Sequence, residues 1–143
     1  MSNHQNNPFL RLIGTWETGG KIIASENAAA SELKGMDSYE LILNGQYILH
    51  KADVLMGSEK SETLELIEIK GEETVASMHY YNSKGERGTM KGAIKGNDFT
   101  IDSDNLKFQG KLNNDTIITG KWLLKSQNGE WNTFLELQLI KKH

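Results

Sequence analysis

The chain has no cysteine, a single proline and no long apolar run. Without cysteine there is no disulfide framework, no thiolate nucleophile and no thiolate zinc site. No apolar run approaches the roughly eighteen residues of a membrane-spanning helix. Residues 1–8 lack the basic region and apolar stretch of a secretion signal, so a cytoplasmic protein with no membrane partner is expected. The 16 basic and 19 acidic side chains form no block of one sign, which argues against a nucleic-acid partner. Also missing are the G-x-S-x-G elbow, the H-E-x-x-H pair, the phosphate loop and the dinucleotide fingerprint. No catalytic residue, metal set or cofactor is therefore assigned.

What the chain does have is a regular beat of turn signals. Asn44-Gly45, Gly57-Ser58, Gly71, Ser83-Lys84-Gly85, Gly96-Asn97, residues 102–105, 113–115 and 127–129 separate short runs rich in Ile, Leu, Val, Thr, Tyr and Phe. That spacing suits hairpins between neighbouring antiparallel strands and leaves no room for crossover helices. The expected fold is all-β, a single antiparallel up-and-down barrel of about ten strands, because closure hides the two edges of a long meander. With 143 residues there is one core. Residues 1–9 are expected as a flexible tail and 10–143 as the barrel.

Alternation sorts most runs into a dry and a wet face. Trp16 and Ile22 oppose Glu17 and Lys21; Met90, Gly92 and Ile94 oppose Lys91 and Lys95. Phe108, Gly110 and Leu112 oppose Lys107 and Lys111. Ile118, Gly120 and Trp122 oppose Thr119 and Lys121, and Leu135, Leu137 and Leu139 oppose Glu136 and Gln138. Three runs are less clean. His50 shares a face with Ile48, Ala52 and Val54. In 75–81 either face, Ser77-His79-Tyr81 or Ala76-Met78-Tyr80, could be the lumen. In 63–69, Leu64 and Leu66 disagree in parity with Ile67 and Ile69, which suggests a bulge or a strand buried on both sides. Residues 24–35, with three alanines, read as a short helix capped by Ser25 and ended at Gly35, a lid segment after the first strand, or alternatively as a mobile loop with no function.

Leu12-x-Gly14-x-Trp16, then Asn44-Gly45-Gln46-Tyr47-Ile48-Leu49, residues 79–85, Gly120-Lys121-Trp122 and Asn128-Gly129-Glu130-Trp131 together resemble the lipocalin-like members of the calycin superfamily, in particular bacterial proteins of the DUF1579 type. These are related to the fatty-acid-binding and nitrobindin barrels. The resemblance implies that Trp16 closes one end of the barrel under a basic side chain of the last strand, for which Lys141 is the candidate. Nitrobindins hold haem through a late histidine, whereas residues 116–141 contain none.

The expected function is binding of a small apolar or amphipathic ligand inside the barrel, by a monomer or a homodimer. The expected ligand contacts are Tyr39, Leu41, Ile48, His50, His79, Tyr81, Met90, Phe108, Trp122, Leu135 and Leu137. Gly92, Gly110 and Gly120 on inward faces are read as leaving the lumen hollow, although small barrels can be filled by their own side chains. The alternatives are a cavity enzyme with His50 or His79 as proton shuttle, a haem protein with an atypical ligand, and a filled barrel whose outer face, with Tyr47, Leu49 and Leu55, binds protein.

Overall fold

Left-handed backbone at the predicted turns folds successive strands back on one another. Leu43, Asn44 and Gly45 have φ of 51°, 59° and 76°, and Asn114 and Asp115 have 50° and 58°, the conformations that tight hairpins require of residues tolerant of positive φ. The computed structural model, which describes residues 5–143, accordingly contains ten antiparallel strands. They are β1 (Gly14–Ile22), β2 (Ser31–Ile42), β3 (Tyr47–Met56), β4 (Glu59–Glu68), β5 (Val75–Asn82), β6 (Arg87–Lys95), β7 (Asp98–Asp102), β8 (Leu106–Asn113), β9 (Ile117–Lys125) and β10 (Trp131–Lys141). Each pairs with its neighbours in sequence, and β1 pairs with β10 from Trp16↔Lys141 to Ile22↔Leu135, so the barrel closes and no edge remains.

One end is plugged by a 3-10 helix, Pro8–Leu12. Asn7 caps it, accepting from the Phe9 N–H at 2.9 Å, and donates through Nδ2 to the Gly71 carbonyl, also at 2.9 Å. Pro8 opens the helix where its missing N–H costs nothing. Phe9, Leu12 and Trp16 are fully buried. The Trp16 indole donates to the Leu12 carbonyl at 2.9 Å. Lys141 Nζ lies 4.9 Å from the Trp16 ring centroid and donates to the Arg11 carbonyl at 3.0 Å. Arg11 fastens the helix from outside to Asp115, the Gly96 carbonyl and Asn97. Of the expected tail, residues 1–4 lie outside the described residues, whereas Asn7 and Phe9 belong to the core.

Three expectations need correction. Residues 31–35 are strand, not helix: Leu33 is buried, and a Cβ on Gly35 would come within 2.2 Å of the Asp53 carbonyl oxygen, so Gly35 serves close strand packing rather than helix termination. Pairing on both sides overrides the local helical preference of Glu32, Leu33 and Lys34. Residues 23–30 form an exposed loop with one bridge, Ser25↔Ala28. Second, β4 pairs with β3 without interruption; the irregularity lies in β10, between Thr133 and Leu135. Third, the inward glycines do not open space. A Cβ on Gly92 would meet Met78 Cε at 2.5 Å, and on Gly110 and Gly120 it would meet the Phe108 ring at 2.6 and 2.5 Å. Each glycine seats a large neighbour.

Candidate functional site

Because the strands alternate in direction, the turns at 43–46, 69–74, 96–97 and 114–116 gather at the plugged end, and those at 23–30, 57–58, 83–86, 103–105 and 126–130 at the other. Towards this second end, inward-facing Ala52, Val54, Thr63, Tyr80, Trp122 and Leu137 are only half-buried. Inward-facing side chains are therefore less completely covered on that side.

Among the described residues four polar side chains are buried: Asn7, in the plug, and Thr18, Asp37 and Glu65. The last three converge on His50. Register brings them together, since β2–β3 pairing sets Tyr39 beside His50 and β3–β4 pairing sets Glu65 on its other side. His50 Nε2 lies 2.6 Å from Asp37 Oδ2, and Nδ1 lies 3.0 Å from Glu65 Oε1. Thr18 donates its hydroxyl to Asp37 Oδ1. The Tyr39 ring stacks on the imidazole, with centroids 4.0 Å apart and planes 9° from parallel.

Burial alone would lower the His50 pKa, but the hydrogen bonds to Asp37 and then Glu65, with the charges behind them, prevail and raise it to about 9. At neutral pH His50 is an imidazolium donating from both nitrogens. Burial, together with the charges of Asp37 and Glu65, raises the Tyr39 hydroxyl well above the ordinary tyrosine range, so it stays a phenol. A histidine already protonated at neutral pH is a poor general base. With both nitrogens facing carboxylates, neither is open to a metal, and the donor set does not fit haem ligation through His50.

The expected contact residues divide into four groups. Tyr39 and His50 belong to this cluster, and Trp122, Leu135 and Leu137 face the open half. Ile48, Met90 and Phe108 face inward but are consumed in the packed core. Three lie elsewhere: Leu41, 45% exposed at the end of β2; Tyr81, 47% exposed; and His79, which faces out between β4 and β6. His79 Nε2 is 2.6 Å from Glu68 Oε1, and Nδ1 is 3.1 Å from Thr89 Oγ1. The lumenal placement of His79 and Tyr81 is thus corrected, because Ala76, Met78 and Tyr80 take the inward face of β5. Thr18, Asp37 and Glu65 were not foreseen, although Glu65 has the parity of the apolar Ile67 and Ile69. A groove of about 790 Å³ also crosses the outside of the barrel, lined by Met36, Leu55 and Ile140 among Glu17, Lys34 and Asp53.

No family model and no curated protein matches the sequence. Among solved structures, Rv2717c from M. tuberculosis superposes with a TM-score of 0.73 at 7% identity, over 93% of this chain and 94% of that chain. At that identity the likeness concerns architecture alone, and the architecture is a closed ten-stranded antiparallel barrel.

Proposed function

We propose that the chain binds a small apolar or amphipathic molecule in the open half of its barrel, with the His50 cluster facing the polar part of that molecule. The observation that carries this reading is the concentration of buried polarity. Among the described residues outside the plug, the buried polar side chains are Thr18, Asp37 and Glu65, and they meet at His50 beneath a half-buried apolar wall. Apolar walls with a few convergent polar groups are the usual make-up of small-molecule sites. The DUF1579-type resemblance stands beside this reading as a family proposal resting on the motif order alone. Binding is favoured over proton-shuttle catalysis because His50 holds its proton at neutral pH, pinned between two carboxylates.

The test is native mass spectrometry of protein purified gently from its own host. A stoichiometric adduct released on denaturation supports the reading. A bare chain that also takes up no aliphatic probe overturns it.

A further inference from the structure

The barrel wall segregates charge by face. On the strands, Lys21, Lys34, Lys51, Lys60, Arg87, Lys91, Lys95, Lys107, Lys111, Lys121 and Lys125 all have the outward parity, which on β9 they share with Leu123. Lys141 has the inward parity, but it is held on Trp16 and the Arg11 carbonyl at the plugged end. The side chains of Asp37 and Glu65 are 10% and 7% exposed, and they share one imidazolium. Two carboxylates against one cation leave one negative charge uncompensated in a setting where water screens it poorly.

The distribution of hydrogen bonds shows where that charge is available. Asp37 spends Oδ1 on Thr18 and Oδ2 on His50. Glu65 spends Oε1 on His50. No buried side-chain nitrogen or oxygen of the described residues lacks a partner, so the second Glu65 oxygen is one that solvent reaches. Tyr80, the register partner of Glu65 on β5, is half-buried on the same inward face and offers an aromatic surface beside it.

We infer that the molecule held in the open half carries a cation: an ammonium group directed at the free Glu65 oxygen, on an apolar body lying against Val54, Trp122 and Leu137. A carboxylate head group, by contrast, would face two carboxylates, and both nitrogens of His50 are already committed to them. This inference rests on the binding reading above and specifies its ligand class.

Three probes of equal chain length and different head group test it: octylamine, octan-1-ol and octanoate, titrated calorimetrically into the protein at pH 7.4. Octylamine is expected to bind about tenfold more tightly than octan-1-ol, with octanoate weakest. Glu65→Gln should abolish the margin of the amine over the alcohol. Octanoate binding as well as octylamine, in the wild-type protein alone and so independent of any variant's folding, would overturn the cationic head group and leave the cavity intact. Failure of all three probes to bind would remove the cavity reading itself, and this inference with it.

Discussion

At the plugged end of the barrel Phe9, Leu12, Trp16, Ile48 and Ile67 expose no surface, whereas at the other end Val54, Tyr80, Trp122 and Leu137, equally inward by parity, stay half-buried. Strand alternation is the same at both ends. The difference lies in what covers them: a capped 3-10 helix carrying Phe9 and Leu12 at one end, and a loop of exposed residues, 23–30, at the other. Alternation therefore makes an inside, and a separate element decides how completely that inside is covered. The His50 cluster lies between the two, its side chains largely buried and joined by hydrogen bonds.

Truncation should separate the two ends most sharply. Trp16→Ala is expected to cost about 3–5 kcal/mol in urea denaturation, as removal of a fully buried indole does. Val54→Ala, in the half-wet end, should cost about 1 kcal/mol. Equal losses would mean that the two ends are packed alike.

The charge cluster comes next. The His50 pKa is raised in the folded state, from 6.5 to about 9, so its contribution to stability is complete below pH 6.5 and disappears as the pH rises through about 9. The difference in stability between wild type and His50→Gln should therefore shrink across that window by an amount on the order of 3 kcal/mol. Melting curves recorded from pH 5.5 to 9.5 measure it. A difference independent of pH would contradict the imidazolium.

How much of this was legible in the sequence varies with the physical signal. Strand number and most inward faces follow from turn chemistry and alternation, both local. The cluster was also within reach: counting back symmetrically from Asn44-Gly45 pairs His50 with Tyr39, and from Gly57-Ser58 pairs His50 with Glu65, as the structure does. Misreading residues 24–35 as a helix hid β2, and with it Asp37. The orientation of β5 was ambiguous because both its faces carry similar residues. The deciding signal lies on β6, where Gly88 and Gly92 receive Tyr80 and Met78. The plug had a local signature too, Asn7 as cap before Pro8, in a stretch read as tail. Glycine itself misled, since absence of a side chain in one residue says nothing about which neighbour fills the gap.

That last point yields a graded test within the core. Gly120→Ala should destabilise by about 1–3 kcal/mol, because its Cβ meets the Phe108 ring at 2.5 Å and the Gln109 carbonyl oxygen at 2.7 Å. Gly92→Ala should cost less, since it meets the flexible end of Met78. Thermal melts of the two variants give the order. The smallest effect is expected on the outer face: His79→Ala should change stability by no more than about 0.5 kcal/mol, its Glu68 partner being a surface pair, and should leave octylamine affinity unchanged. A loss of affinity would put His79 back among the ligand contacts.

The measurement that tests the account most directly is a two-dimensional proton–nitrogen NMR titration with octylamine, followed at the indole N–H groups of Trp122 and Trp16. The account predicts that the Trp122 signal moves with saturation, together with amides of the open half around Val54, Tyr80 and Leu137, while the Trp16 signal stays fixed on its bond to the Leu12 carbonyl. Movement of Trp16 with Trp122 still, or of neither, would contradict a barrel that is core at one end and binding site at the other.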